Sequence, residues 1–348
     1  MVPPYSVLEL FLVSIGPRSD TPRTPSRAMP QVVIRTERLS KTYRTGFWKT
    51  KPVLALDDLN LEVFENEIFG CLGPNGAGKS TTLKLLMSLI YPTAGRAEIL
   101  GKSVFSLEAR RHIGYLPESP YFYEYLTAEE FLAYYGSLFG FAKAELKSRV
   151  DHFLKLTDVF HARKLQLRKF SKGMLQRVGI AQAILGDPKV VFLDEPMSGL
   201  DPIGRREVRN LILQLKREGK TIFFSTHILN DVETLCDRIA ILNRGKIIGS
   251  GTLNELFDQE VSRVEMVISG ITADRLRELA GTEASVSETG SISRLELPAE
   301  ARVSTIVAGI EQASGRIISI NPVRQTMEDY FLNLVGKPER RATPRSRD

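Results

Sequence analysis

The sequence contains very few cysteines. Of its 348 residues only Cys71 and Cys236 carry a thiol, and they lie far apart with no metal-ligand spacing around either. A disulfide framework and a cysteine-based metal site are therefore not expected, and a reduced, cytosolic setting fits this thiol content best.

Long apolar runs are also missing. A membrane-spanning helix needs about 18 uninterrupted apolar residues, and no window offers them, so we do not expect the chain itself to form a channel. The apolar run from Tyr5 to Ile15 contains Glu9 and has no basic residue before it, unlike a signal peptide. We interpret residues 1–30 as a disordered N-terminal extension, and we expect Met29, not Met1, to be the true start.

The part of the chain that should fold carries little excess charge. The formal net charge is +6, but residues 337–348 hold five Lys or Arg against two acids, and residues 1–30 hold three against two. Residues 31–336 are left with only +2. Because a nucleic-acid footprint should lie on the folded surface, we expect no nucleic-acid partner. Residues 337–348 are predicted to form a basic, disordered tail.

What is present is the composition of an ordinary globular protein. Hydrophobic residues make up 43% of the chain and charged residues 25%, which suffices for a sizeable core. The length predicts about two domains.

Strands and helices alternate from Val32 to Gly251, which predicts an α/β domain over 31–256 with a largely parallel sheet. Between about 119 and 187 the strand pattern stops, and a helical insert is predicted. The predicted strands are Leu59–Phe64, Ile68–Leu72, Val190–Leu193 and Thr221–Ser225, and the predicted helices are Lys79–Leu89, Ala128–Phe139, Lys143–Leu156 and Lys172–Leu185.

Residues 262–336 have a different pattern, that of a small βαββ-like α+β accessory domain without a recognisable catalytic motif. Its predicted strands are Val264–Ile268, Ile292–Leu297 and Arg316–Ile320, and its predicted helices lie near Ala273–Ala280, Val303–Ser314 and Met327–Leu334.

A glycine-rich segment follows the apolar strand Ile68–Leu72 and opens a helix, and it matches the phosphate-binding pattern G-x-x-x-x-G-K-[ST]. Its glycines let backbone N–H groups converge on phosphate oxygens, and the helix dipole adds to this. Lys79 would span the β and γ phosphates, and the Ser80 hydroxyl would bind Mg²⁺. The alternative is a turn that merely starts a helix. The candidate nucleotide-binding residues are Gly73, Pro74, Asn75, Gly76, Ala77, Gly78, Lys79, Ser80 and Thr81.

Two acids, Asp194 and Glu195, end a buried strand, where its carboxyl edge should lie beside the phosphate site. We expect Asp194 to hold Mg²⁺ and Glu195 to orient the attacking water. An apolar run that ends in two acids is weak evidence for a catalytic site by itself. It becomes strong evidence when the same sequence also contains the glycine-rich segment that begins at Gly73.

With these two motifs and the segment that lies between them, the sequence resembles the ATP-binding cassette (ABC) ATPases. The segment Phe170–Arg177 is similar to the family signature, usually LSGGQ, although only Ser171 and Gly173 match while Phe170, Lys172 and Met174 depart from it. The resemblance implies that Ser171 and Gly173 receive the γ-phosphate of ATP held by a second subunit. It implies an α/β P-loop NTPase core with an antiparallel β subdomain.

Further segments resemble family motifs in family order. Ser198–Asp201 resembles the D-loop, with Asp201 counted as nucleotide-binding, and His227 resembles the switch histidine that contacts the γ-phosphate. Tyr43 matches the ring that stacks on adenine, although Phe47 and Trp48 compete for that role. Glu118 stands at the Q-loop position in place of Gln, where its carboxylate could bind Mg²⁺.

Nine of the 28 aromatic residues fall between Tyr121 and Phe141. They fit the core of the helical insert, and they also fit a socket for a short helix of a membrane subunit. We expect both, with the Tyr121–Tyr125 group the more exposed.

The resemblance, closest to ABC-2-type exporters, implies an ATP-hydrolysing subunit with ATP and Mg²⁺ as cofactors. It would dimerise with a second copy or a paired ATPase subunit and drive transmembrane permease subunits docked near Tyr121–Tyr125, as a peripheral protein at the cytoplasmic face of the cell membrane. The alternative is a soluble ABC ATPase acting on nucleic acid or ribosomes, which the nearly neutral core and the single cassette disfavour. A purely structural role fits least, because the hydrolytic residues would be idle.

Overall fold

A computed structural model describes residues 31–45, 51–256, 261–281, 284–298, 301–324, 327–328 and 330–331. The predicted extension 1–30, the predicted tail 337–348, and Phe47 and Trp48 lie outside the described residues. Within them no helix is both long and apolar enough to cross a bilayer. The division into domains stays a prediction.

The strands are β1 (Val32–Thr45), β2 (Lys51–Phe64), β3 (Ile68–Leu72), β4 (Ala94–Ile99), β5 (Lys102–Ser103), β6 (Ile113–Leu116), β7 (Val190–Asp194), β8 (Thr221–Thr226), β9 (Arg238–Asn243), β10 (Lys246–Thr252), β11 (Val261–Ser269), β12 (Ser285–Thr289), β13 (Ile292–Pro298) and β14 (Arg316–Arg324). The helices are α1 (Lys79–Leu86), α2 (Leu107–Arg110), α3 (Ala128–Ser137), α4 (Lys143–Leu156), α5 (Lys172–Ile184), α6 (Pro202–Arg217), α7 (Leu229–Leu235), α8 (Leu253–Leu256), α9 (Ala273–Ala280) and α10 (Val303–Gln312).

The central sheet has the strand order β10-β9-β3-β8-β7-β6, with β10 antiparallel to β9 and the other neighbours parallel. Every residue of β3, β7 and β8 is buried, because both faces of this sheet are covered and continuous apolar runs are needed there. The carboxyl ends of these parallel strands share one edge, which brings the segments that follow them together.

A second, antiparallel sheet has the order β2-β1-β4-β5. Its apolar face, including Ile34, Leu56 and Ile99, packs with Leu83 and Leu86 of α1 in one buried cluster. The expected antiparallel β subdomain beside an α/β core is therefore confirmed.

The stretch from 119 to 187 is helical, and its only β pairing is a single bridge between Thr127 and Gln166. Helix α3 begins at a capping box, in which Thr127 and Glu130 satisfy each other's backbone N–H groups. Phe131 and Leu154 are fully buried between the helices and the central sheet.

Helix α1 ends at Leu86, three residues before the predicted end. Ser88 takes a left-handed φ of 55°, and the N–H groups of Ser88 and Leu89 turn back to the carbonyls of Leu85 and Lys84. This closure stops the helix although the apolar pattern continues to Leu89.

Residues 261–324, called here the C-terminal unit, form an antiparallel sheet with the order β12-β13-β11-β14, and α9 and α10 cover one face of it. The βαββαβ order contains one strand more than we predicted. The missed strand β12 is an exposed edge strand whose only apolar residue is Val286, so it lacks the apolar alternation that marks a strand. Of the predicted helix Met327–Leu334, only residues 327, 328, 330 and 331 are described, and they are helical.

Candidate functional site

The glycine-rich loop lies between the buried end of β3 and the start of α1. Gly78 takes a φ of 112° at the N-cap of α1, a conformation that favours glycine. At Gly73 a Cβ atom would lie 2.4 Å from the carbonyl oxygen of Leu242. The loop is therefore held against the neighbouring strand, and only glycine fits at its first position.

Lys79 is buried under this loop, with only 6% of its side chain exposed. Its ammonium group donates to the carbonyl oxygen of Gly73 at 2.8 Å and lies 3.4 Å from Oε1 of Glu195. A buried cation needs such partners. The structure thus brings the predicted lysine and the predicted general base into direct contact across the sheet edge.

Asp194 is buried at the end of β7 and faces two hydroxyl groups. Ser80 Oγ donates to Asp194 Oδ1 at 3.4 Å, and Ser225 Oγ donates to the same oxygen. Two of the three residues predicted to bind Mg²⁺ are therefore adjacent, as the parallel alignment of β3 and β7 around β8 requires.

Ser225 is a site residue that our sequence analysis missed. Its hydroxyl accepts the backbone N–H of Glu195 at 3.1 Å while it holds Asp194. Glu195 itself takes a left-handed φ of 49°, which costs a non-glycine residue roughly 1 kcal/mol or more. Ser225 belongs to the segment Ser225-Thr226-His227, in which we predicted a role for the histidine alone. Its position at the end of a buried strand could have identified it.

His227 follows β8 and lies on the other side of Glu195. Its Nδ1 atom is 2.9 Å from Glu195 Oε2, and 44% of its side chain is exposed. An ionised carboxylate only accepts hydrogen bonds, so Nδ1 is the donor here. Glu195 therefore links the buried lysine to an accessible imidazole.

Lys79, Ser80 and Glu195 open onto a cleft of about 470 Å³. Burial raises the pKa of Tyr115 on β6 to about 12, and the carboxylates of Asp194 and Glu118 act in the same direction, so its hydroxyl stays neutral. Glu118 reaches the cleft from the segment that follows β6. The residues that line the cleft are Val53, Leu54, Ala55, Asn75, Gly76, Gly78, Lys79, Ser80, Thr81, Glu118 and Glu195.

Tyr43 is not among the residues that line this cleft. It lies on β1 opposite Val53, which does line it, and its ring packs under the Lys41 ammonium at 5.3 Å. Its assignment to the adenine ring stays a prediction.

Ser171, Gly173 and Asp201 do not line the cleft either, and they form a separate group. Ser171 caps α5 by accepting the N–H of Met174 at 3.2 Å, and Asp201 caps α6 by accepting the N–H of Gly204 at 2.7 Å. A Cβ atom on Gly173 would lie 3.8 Å from Gly204 Cα. The starts of α5 and α6 are thus in close contact.

The predicted aromatic group divides only in part as expected, because Phe122 and Tyr123 pack against the helical core while Tyr134 is 48% and Phe139 55% exposed. Phe131 is fully buried in the helical core, whereas Tyr121 is 79% and Tyr125 67% exposed. Residues 118–125 line a second cleft of about 650 Å³ together with Lys172, Leu175 and Gln176 of α5. This cleft connects the Glu118 segment to the start of α5.

Comparison with known proteins adds independent findings. Residues 56–198 match the family model described as ABC transporter. An uncharacterized ABC transporter ATP-binding protein of Synechocystis sp. is 46% identical over 86% of this chain and 84% of that protein. The bacitracin transport ATP-binding protein BcrA of Bacillus licheniformis is 36% identical over 87% of this chain and 97% of that protein.

Solved structures agree with these sequence matches. An ATP-binding subunit of an ABC transporter aligns over 64% of this chain and 91% of its own, with a TM-score of 0.56 and 33% identity. A dimeric ATP-binding cassette in a post-hydrolysis state, bound to ADP and Pi, aligns over 63% of this chain and 98% of its own, with a TM-score of 0.57 and 27% identity.

Proposed function

The chain belongs to the ABC transporter ATP-binding proteins, and from that premise we propose that it is the ATPase subunit of an exporter. It binds and hydrolyses ATP, the activity of this family. We further propose that two such subunits close around two ATP molecules and drive separate permease subunits at the cytoplasmic face of the membrane. The observation that carries the ATPase part of this proposal is the contact of one buried carboxylate, Glu195, with both Lys79 and His227.

The proposed reaction is an attack of water on the γ-phosphorus, which forms a bond to the water oxygen, breaks the bond to the oxygen that bridges the β and γ phosphates, and releases ADP, phosphate and a proton. Lys79 and the N–H groups of the glycine-rich loop neutralise the phosphate oxygens. Glu195 accepts a hydrogen bond from the water and aligns its oxygen with the phosphorus atom. His227 donates to Glu195 through Nδ1 and fixes the orientation of the carboxylate.

The donor set fits Mg²⁺. Ser80, Asp194 and Glu118 offer hard oxygen atoms. Within the described ranges, no group of three or more His, Cys, Asp or Glu side chains is arranged so that it could hold a metal ion. Mg²⁺ is commonly held by one or two carboxylates, with waters and substrate phosphates completing its shell. When bound, the ion would neutralise charge on the β and γ phosphates. Ser80 and Asp194 are the residues we assign to it first, with Glu118 as the third.

The proposed pairing of subunits rests on the second group of motif residues. Ser171, Gly173 and Asp201 lie outside the lining of the Lys79 cleft, and the resemblance to the ABC ATPases implies that Ser171 and Gly173 serve a nucleotide held by another subunit. The dimeric state of the related cassette bound to ADP and Pi supports this pairing.

The proposed permease contact is the cleft at Tyr121–Tyr125. Exposed neighbouring aromatic residues are typical of interaction sites, and the same cleft includes Glu118, which also lines the nucleotide cleft. A docked permease would therefore be adjacent to the nucleotide. The relative named for bacitracin transport supports a transport role, and the resemblance of the motif variants supports export.

Substitution of Glu195 tests the proposed chemistry. Glu195→Gln keeps the shape of the side chain and removes its charge, so ATP binding should persist while turnover falls about 10²-fold or more. An ATP-bound dimer should then accumulate, detectable by light scattering. Near-normal turnover would overturn the assignment of the water to Glu195, with Glu118 or His227 next in line.

A further inference from the structure

A buried ion pair, and not a capping side chain, holds the start of helix α7. The N-cap residue Ile228 has no side-chain oxygen to offer to the free N–H groups of the first turn. Asp231 in that turn is only 5% exposed. Both of its carboxylate oxygens accept hydrogen bonds from one guanidinium nitrogen of Arg205 in α6, each at 3.0 Å. The place of α7 beside α6 therefore depends on this pair.

The pair closes a ring of contacts around the carboxylate of Glu195. The loop that follows Glu195 leads to α6, and its Leu200 lines a cleft of about 240 Å³ that Arg205 and Asp231 also line. One helical turn before Asp231 is His227, whose Nδ1 atom returns to Glu195 Oε2 at 2.9 Å. The two ends of this ring are thus joined by one exposed and one buried contact.

The exposed contact has little support of its own. The His227 side chain is 44% exposed, and in the part of the chain that the structure describes its imidazole has a single hydrogen bond, the one to Glu195. The chain turns directly from β8 into α7, where the N–H of Ile228 donates to Thr226 Oγ1 at 3.1 Å. A displacement of α7 would therefore move the imidazole relative to Glu195.

We propose that Asp231 is a positioning residue for ATP hydrolysis: paired with Arg205, it fixes the start of α7 so that His227 Nδ1 meets the carboxylate of Glu195. This rests on the proposed roles of His227 and Glu195. Asp231 is not among the residues that line the nucleotide cleft, so its loss should lower turnover and leave ATP binding unchanged.

Substitution of the pair tests this inference in the purified full chain. Asp231→Asn keeps the size of the side chain and removes its charge, and kcat should fall about tenfold with unchanged equilibrium ATP binding, because a small misplacement of a reacting group has such an effect. Arg205→Lys keeps the charge and should retain more activity than Arg205→Met. Lys216→Met breaks another ion pair made by α6, to Asp237, and is the matched control, which should leave kcat unchanged.

A double-mutant cycle with His227 separates positioning from support of the fold. If Asp231 acts through the imidazole, Asp231→Asn should cause no further loss of kcat in the His227→Ala protein. A residue that only stabilises the fold would cause the same fold-loss in both backgrounds. Single-turnover hydrolysis of radiolabelled ATP measures the low rates.

The cycle can also be run if Asp231→Asn unfolds the protein. Arg205→Met combined with Asp231→Leu then replaces it, because two apolar side chains often restore the stability lost when one partner of a buried pair is removed. Thermal unfolding should return to that of the unaltered chain while kcat stays low. A kcat that recovers together with stability would overturn the inference.

The outcomes distinguish this inference from the proposed function. Unchanged kcat in the folded Asp231→Asn protein, or losses that multiply in the cycle, would overturn the positioning role alone. Normal turnover of the His227→Ala protein would overturn the proposed role of the histidine and this inference together.

Discussion

At the residue scale, the site depends on one carboxylate with two different neighbours. Glu195 Oε1 faces the buried Lys79 ammonium at 3.4 Å, and Oε2 faces His227 at 2.9 Å. The two oxygens of one side chain thus connect the phosphate-binding loop to the end of β8. Its backbone, held in a left-handed conformation by Ser225, fixes where that carboxylate points.

Substitution of His227 should affect turnover and spare binding. His227→Ala removes the donor that orients Glu195, and we expect kcat to fall about 10²-fold with little change in ATP affinity. His227→Gln keeps a donor and should retain more activity than His227→Ala. Steady-state kinetics together with equilibrium ATP binding check this, and equal losses in the two variants would contradict a donor role.

At the element scale, the sequence predicted which segments meet at the sheet edge, because strand ends are easy to locate. Continuous apolar runs mark β3, β7 and β8, and the carboxyl ends of parallel strands meet at one edge. Lys79 and Asp194 could therefore be placed together before the fold was known, whereas His227 was placed there by the resemblance to the ABC ATPases. The contact between Lys79 and Glu195 could not be predicted, because it depends on side-chain directions across that edge.

Strand β12 and the end of α1 are two further features that the hydropathy pattern of the sequence could not predict. An exposed edge strand needs no apolar alternation, and a helix can stop by backbone closure at Ser88 while its apolar pattern continues. Hydrogen bonds decide both features, and hydropathy does not report them.

The helical insert supplies the element-scale prediction. Tyr121→Ala combined with Tyr123→Ala removes two rings, 5.7 Å apart, from the proposed permease contact. We expect the ATPase activity of the purified chain to persist and its retention on membranes that contain the cognate permease to be lost. Cosedimentation with those membranes measures the retention.

Ile318→Ala with Ile320→Ala is the matched control, because it removes exposed apolar side chains from the C-terminal unit. Retention lost only in this control would place docking on the C-terminal unit. Unfolding of the Tyr121 and Tyr123 variant would identify the rings as core, and retention by a folded variant would contradict the proposed contact.

At the scale of the whole molecule, the C-terminal segment packs onto the nucleotide-binding sheet. Met327, with 3% exposure, shares a buried cluster with Leu72, the residue before the glycine-rich loop, and with Val232 of α7. Tyr330 and Phe331 pack against the same cluster. The sequence analysis predicted a helix here without a partner for it, because a contact between distant segments leaves no periodic signal.

The most direct test of the central claim, that each ATP is enclosed by Lys79 of one chain and Ser171 of another, is to mix two inactive proteins. Lys79→Ala damages the phosphate loop, and Ser171→Arg damages the opposing surface. In a mixed dimer both defects fall on one site and the other site is intact, so ATPase activity should partly recover on mixing relative to each protein alone. Activity that stays at the sum of the two separate proteins, at concentrations where mixed dimers form, would contradict the claim.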